Sequence, residues 1–588
     1  MQTRSPLSAL RDWLSSQQLD GMIIPRADAW QSEYAAPHDD KLAWVSGFTG
    51  SAGVALVLAD RALMFVDGRY QVQVRSEVDL QAWTIHHLHN EPLENHLPPG
   101  CRIGFEPLLM VNSQFETLNA SGAQLIPLAD DPFDTVWRDR PAAPCGAIRE
   151  MPLSIAGESS EAKRARIAAK LDASGVDYLA ITQPDNIAWL LNVRGADIAT
   201  SPVPLSFVLL SRTGAVEWFV DAAKTTGLPQ TLLSSLTLSP MAQLVPRTRH
   251  IAGGKCIQLD ADSAPVALRF AVEQHGGNVL WKADPITFIK ARKNDVELEG
   301  YRDSHRFDGA AWVNFLAWLA REVPARIAAG NPLSELEAQA QQFAFRQQQA
   351  TFIEPSFGTI SAAGANAAMC HYHSSDASNA AITTESFYLN DSGGQYSNGT
   401  TDATRTLAFG PLDPQRKLHY TAVLKGFLSL ITLQFPSGSF GHQLDAFARR
   451  ALWELGLDFD HGTGHGVGHQ LLIHEAPHRI AKKVNPWPLA AGNIITIEPG
   501  YYLEGQYGIR IENQVEVVDS QPGFCRFSSL TLIPIDLSQV EINLLSEQET
   551  QWLDEYHQLV RETLSPLVDS DARPWLFSAT APVRVQVG

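Results

Sequence analysis

Four stretches in the second half of the chain put carboxylates and imidazoles where a solvated surface role explains them poorly. FYLNDSGGQYSNGTTDATRT (387–406) ends one apolar strand candidate on Asp391 and carries Asp402 in the returning one, with the hairpin signal Asn398-Gly399 between them. Both carboxylates can then face one side. HGTGHGVGHQLLIHEAPH (461–478) sets His461 and His465 four apart and His474 nine further on. Its interleaved glycines let the backbone approach a bound group closely. IITIEPGYY (494–502) ends an apolar strand on Glu498. YGIRIENQVEVV (507–518) alternates, so Ile509 and Ile511 face one way and Arg510 and Glu512 the other.

Taken singly, each of these acids reads best as a solvated turn or strand-end residue. Taken together, Asp391, Asp402, His465, Glu498 and Glu512 offer four carboxylates and one imidazole, a set that two divalent cations balance in charge. Without cations, clustered carboxylates repel and several must protonate. Mostly oxygen donors with one nitrogen suit Mn²⁺ and are less diagnostic of Zn²⁺. The H-E-x-x-H pattern is absent from the histidine-rich segment, which argues against a one-zinc thermolysin-like site. WTIHHLHN (83–90) could also bind metal, but is read as a solvated strand edge.

These residues need a frame. From residue 290 apolar positions recur at three- and four-residue steps (Leu298, Trp312, Phe315, Leu316, Leu319), predicting a long helix, with a second over 333–347. Helices return at 414–434 and 442–455 around strand-like, glycine-rich runs, an α+β layout. One closing helix is expected after residue 540. The N-terminal half reads as a repeat. A helix over 6–18 and the strand Gly21–Pro25 are echoed by SSEAKRARIAAKLDASG and VDYLAIT, AWVSGFTG by AWLLNVRG, and MFVDGRY by WFVDAAK. The chain is thus expected to comprise an α/β domain at 1–145, a second copy at 155–290, and a catalytic α+β domain at 291–588, with a Pro-rich linker at Arg140–Pro144.

With 588 residues the chain exceeds one hydrophobic core. A formal charge of −19 opposes a broad nucleic-acid surface. Five scattered cysteines make no disulfide framework and fit a reducing compartment. The N-terminus has no signal-peptide core, and no run reaches the roughly 18 to 20 apolar residues of a membrane helix. A cytoplasmic protein without membrane or nucleic-acid partners is expected.

The ordered phrases D-S-G, T-T-D-x-T-R-T, H-G-x-G-H, E-P-G and R-I-E-N resemble the pita-bread metallopeptidases, which include methionine aminopeptidase, prolidase and aminopeptidase P. HYHSSD, TTDATRT, GTGHGVG and IHEAP look like the long, three-domain aminopeptidase P branch. Asn390 and Ile497 depart from the usual neighbours of the first Asp and of the Glu, without touching a ligand. The resemblance implies two creatinase-like α/β domains before a pita-bread domain, and release of the first residue from peptides with proline second. It also implies a homodimer, and two divalent ions, Mn²⁺ foremost, with Zn²⁺ or Co²⁺ as substitutes. Asp391 is then a terminal ligand of one ion, His465 and Glu498 ligands of the other, and Asp402 and Glu512 bridges. A metal-bridging hydroxide attacks the Xaa-Pro carbonyl and Glu498 accepts the proton. His474 stabilises the oxyanion, His371 lines the proline pocket, His461 serves the leaving side or the ligand shell, and Arg510 orients the carboxylates.

Overall fold

The computed structural model describes residues 5–583, and the chain divides into two compact units, 1–287 and 288–588. In the first unit the repeat is visible as topology. Strands Gly21–Pro25, Val54–Leu58, Ala62–Val66, Trp83–His87, Arg102–Phe105 and Gln124–Pro127 form one six-stranded sheet. Tyr178–Ile181, Phe207–Ser211, Val216–Phe219, Thr237–Ser239, Cys256–Leu259 and Asn278–Trp281 form another. Numbered within each sheet, the order is 4-3-2-1-5-6 in both. The pairings match too: the first three strands antiparallel, the other contacts parallel. Each central strand is buried, as continuous apolar runs such as GMIIP and YLAI require. Helices Pro6–Ser16 and Ser160–Ala173 open the two copies, each capped by a serine side chain at its N-terminus.

The second unit begins with the predicted long helix, Asp295–Ala328, started by a capping box between Asn294 and Glu297. Gly300 on this helix has no room for a side chain: a Cβ there would lie 2.0 Å from the Asn398 carbonyl oxygen. The hairpin of Gly394–Tyr396 and Gly399–Thr400 therefore presses directly on the helix. Helices Pro414–Ile431 and Gly441–Trp453 pack over an antiparallel six-stranded sheet. Its order is Gln434–Pro436, Phe524–Ser529, Asn513–Gln521, Ile494–Ile497, Gly464–Gly466, Glu475–Ile480. A separate three-stranded sheet joins Ile360–Ala363, Phe387–Ser392 and Ala403–Ala408. The closing helix Glu547–Leu564 adds Leu553, Tyr556, Val560 and Leu564 to the same core, and a short helix, Arg573–Ala579, follows it.

His557 on the closing helix is fully buried, and its Nε2 accepts the Ile535 backbone N–H at 3.1 Å. Burial, followed by the charges of Arg405 and Arg561, pulls this imidazole down to about 3. A depressed histidine contributes stability above the unfolded value near 6.5 and loses it as pH falls, at about 1.4 kcal/mol per pH unit. We expect denaturant unfolding of His557→Gln to lose stability less steeply than wild type between pH 6.5 and 4.5; equal slopes contradict this.

Candidate active site

Asp391 is the penultimate residue of Phe387–Ser392, one short of the strand end the sequence suggests, paired with Ile360 on one side and Thr404 on the other. Asp402 and Glu512, read above as strand residues, instead occupy breaks between ladders. Asp402 lies between Gly399–Thr400 and Ala403–Ala408, and Glu512 between Tyr507–Arg510 and Asn513–Gln521. The break frees each side chain from the strict alternation of a ladder. The breaks face each other, since the Glu512 backbone N–H donates to the Thr404 carbonyl at 3.1 Å. His465 sits in the strand Gly464–Gly466, and Glu498 follows Ile494–Ile497 directly.

The structure brings the five residues together. His465 Nε2 lies 3.5 Å from Asp402 Oδ2 and 3.6 Å from Glu498 Oε1. Ligand atoms of Asp402, His465 and Glu512 lie within 4.8 Å of one another, and all three residues are buried. His465 Nδ1 faces the Gly466 carbonyl at 2.9 Å, so this nitrogen carries the proton and Nε2 turns its lone pair to the carboxylates. Arg510 Nη2 donates to Asp391 Oδ2 at 2.6 Å, while Asp391 Oδ1 is buried with no hydrogen-bond partner among the described residues. Thr404 donates its hydroxyl to Glu512 Oε2 at 2.7 Å.

The electrostatics are those of a cation site. Burial first, then the charges of Asp391 and Glu498, pushes the Asp402 carboxyl well above its ordinary range. Glu512 rises likewise through burial and then Asp402, Asp391 and Glu498. Burial, with Asp391 adding to it, pushes Glu498 up to about 7 against the opposing charge of Arg510. Arg510 offsets the four carboxylates only in part, with Arg346 adding a smaller effect at Asp402. An unpartnered carboxylate oxygen, a lone pair aimed into the cluster and a mostly oxygen donor set fit hard or borderline divalent cations.

The remaining histidines surround this cluster. His474 meets His465 edge to face, with ring centroids 4.3 Å apart. The QLLI stretch before His474 is an irregular loop containing Gln470 at φ 48°. Behind it Glu475 is held by Lys290 Nζ at 3.0 Å and by Lys293, all three nearly inaccessible. His461 accepts from Tyr502 at 2.9 Å, Arg510 Nη1 donates to the same hydroxyl at 2.6 Å, and His461 Nδ1 faces the Gly462 carbonyl. A hydrogen-bonded chain thus links Asp391 to His461. His371, half-buried, follows Cys370, whose carbonyl accepts from Arg510 at 3.3 Å. Its segment is tied down by Glu335, which accepts from the Ala363 and Ala380 N–H groups, Asn366 and Tyr372.

Gly464 and Gly466 of HGTGHGVG serve strand packing: a Cβ on Gly464 would lie 1.9 Å from the Thr496 carbonyl oxygen, and one on Gly466 2.5 Å from that of Glu475. Arg405, inside TTDATRT and unassigned from sequence, is fully buried and donates to the carbonyls of Thr404, Glu512, Ile533 and Pro534. It fixes the backbone of both ladder breaks. Tyr502 and Thr404 were also missed, although both lie in the phrases that drew attention.

A buried carboxylate-rich centre with one imidazole on this α/β and α+β frame defines a metallohydrolase. Residues 299–519 match metallopeptidase family M24, and 523–583 match the C-terminal region of peptidase M24. Residues 6–135 and 139–297 each match the creatinase/prolidase N-terminal domain. A probable Xaa-Pro aminopeptidase P of Laccaria bicolor is 35% identical over 611 residues, covering 99% of this chain and 94% of that protein. Aminopeptidase P1 of Arabidopsis thaliana is 33% identical, covering 98% and 99%. The X-prolyl aminopeptidase of Caenorhabditis elegans, a cytosolic enzyme with a di-nuclear active site, superposes with a TM-score of 0.92 at 31% identity, covering 98% and 99%. The chain belongs to metallopeptidase family M24, in the company of the Xaa-Pro aminopeptidases. Two creatinase-like domains precede a pita-bread catalytic domain, as the resemblance implied.

Arg405 supplies the prediction. Its acceptors are mostly carbonyls, and its removal leaves several of them buried without a donor, at about 1 to 3 kcal/mol each. Arg405→Met should lower the unfolding free energy by about 3 kcal/mol or more and reduce bound metal. A variant with wild-type stability and metal content contradicts this placement.

Proposed function

We propose that the chain is a metal-dependent Xaa-Pro aminopeptidase whose centre holds two divalent cations, with Mn²⁺ as the working metal and Zn²⁺ or Co²⁺ as substitutes. The observation that carries this reading is the convergence of Asp391, Asp402, His465, Glu498 and Glu512 in one buried cluster, with Asp391 Oδ1 unpartnered among the described residues. Asp391, Asp402, His465, Glu498 and Glu512 are the residues that would hold the cations. When bound, the cations supply an acidified water and polarise the scissile carbonyl.

The residues of the chain do the rest. Glu498, beside the cluster, takes the proton from the attacking water and delivers it to the proline nitrogen. That delivery matters because a tertiary amide nitrogen leaves poorly unless protonated. His474, edge-on to His465, donates a hydrogen bond to the oxyanion. His371 lines the pocket for the proline ring. His461, held by Tyr502 and the Gly462 carbonyl, steadies the leaving side. Arg510 keeps Asp391 oriented through its 2.6 Å contact. An Xaa-Pro bond has no N–H to grip and a fixed φ, so recognition must come from shape.

We further propose that catalysis resides in 291–588, that 1–145 and 155–290 are the two accessory domains, and that the enzyme is a cytoplasmic homodimer acting on peptides. No helix among the described residues is long and apolar enough to cross a membrane.

Substrate length separates this reading from a dipeptidase. Metal-stripped chain reloaded with Mn²⁺, Zn²⁺ or Co²⁺ should cleave Xaa-Pro-Xaa tripeptides and release the first residue, with Mn²⁺ restoring the highest rate. Activity confined to Xaa-Pro dipeptides, or full activity in excess chelator, overturns it. His474→Ala should keep its metal and KM while kcat falls by about 10²- to 10³-fold, the usual cost of one oxyanion donor. Loss of metal would instead make His474 a ligand.

A further inference from the structure

The histidines of WTIHHLHN are not simply a solvated edge. Trp83–His87 is indeed the outer strand of the first sheet, paired among the described residues only with Ala62–Val66, and His86 lies in register with Phe65. Beyond it the chain turns back: the Asn90 and Glu91 N–H groups both donate to the His87 carbonyl. A short helix, Leu93–His96, then follows, anchored by buried Leu93 and Leu97. Three elements thereby bring His86, Glu91 and His96 to one place. Their potential ligand atoms lie within 4.8 Å of one another. The two imidazoles stand 4.3 Å apart between centroids, and Glu91 Oε2 contacts His86 Nδ1. Phe65 backs both rings, at 5.1 Å from His86 and 5.2 Å from His96.

Structural explanations account for only part of this. A His–Glu pair at a strand edge is ordinary, but a second imidazole against the first is not a favourable neighbour once either carries charge. His87 points to the other face of the strand, so the set is two imidazoles and one carboxylate, with solvent to complete a tetrahedron. Glu91 is 57% exposed and free to swing the short distance that closes the triangle to bonds of about 2.0 to 2.2 Å. Nitrogen-rich donors favour a borderline ion over Mg²⁺ or Ca²⁺.

We propose that His86, Glu91 and His96 form a second cation site, separate from the catalytic centre, that takes a borderline divalent ion such as Zn²⁺ and clips the turn and short helix to the sheet's outer strand.

The test uses the full chain, stripped of metal and dialysed against Zn²⁺, with bound ions counted by elemental analysis. Wild type should hold one equivalent more than His96→Ala, whatever the catalytic centre retains. Glu91→Gln, at an exposed position, should weaken that extra equivalent by at least about tenfold. Both variants should keep wild-type tripeptide cleavage in Mn²⁺. Hydrogen exchange of residues 83–97 should slow on adding Zn²⁺ in wild type alone. Equal zinc content in wild type and His96→Ala, or zinc-induced protection of 83–97 in both, overturns the proposal.

Discussion

Four carboxylates crowded into a buried space are the constraint on which the catalytic unit is built. Two like charges 4 Å apart repel by about 4 kcal/mol at an effective dielectric of 20; here Asp402 and Glu512 offer ligand atoms within 4.8 Å of each other, and Asp391 and Glu498 repel both. Arg510 offsets part of this through Asp391, and Thr404 satisfies one oxygen of Glu512. The fold cannot relieve the rest by solvation, because Asp402 and Glu512 are buried. It must instead hold the acids rigidly and leave room for cations. The surrounding structure follows from that need: paired ladder breaks supply Asp402 and Glu512, Arg405 bolts the breaks from behind, and glycines let neighbouring strands close on the cluster.

The same logic explains the histidine segment. His465 lies on a strand squeezed between Ile494–Ile497 and Glu475–Ile480, where Gly464 and Gly466 remove the steric bar to that approach. Helix Gly441–Trp453 secures its entrance, since Arg449 donates to the carbonyls of Phe459 and His461 and pairs with Asp445. Asp445 in turn accepts the Thr463 hydroxyl. The exit is secured by Glu475 with Lys290 and Lys293. A buried charged triad of this kind gains little net stability, but removing one member leaves an uncompensated charge, so it fixes position firmly.

Much of this was legible in the sequence, for physical reasons that differ by element. The repeat showed because a buried central strand must be apolar throughout and its opening helix amphipathic, so two copies of one sheet leave the same phrase twice. The clustered acids and His465 drew attention because acids at strand ends beside a histidine-rich run are costly without a purpose. What stayed hidden depends on contacts distant in sequence. Arg405 binds carbonyls more than a hundred positions away, and nothing local distinguishes it from a strand arginine. Asp402 and Glu512 read as strand residues because a ladder break is decided by partners, not by the residue itself. The glycines were assigned to a bound group when a neighbouring strand was the closer demand. At residues 83–96 the pattern was visible, but Glu91 and His96 reach His86 only because the chain turns back on itself.

The central claim is that the acids are shaped for a pair of cations they share. Anomalous diffraction from crystals of the full chain grown with Mn²⁺, recorded on both sides of the manganese edge, tests it most directly. The account predicts two peaks about 3.5 to 4 Å apart, each within bonding distance of Asp402 and Glu512, one also bonded to Asp391 and the other to His465 and Glu498. A single peak, or two that do not share Asp402 and Glu512, would contradict it.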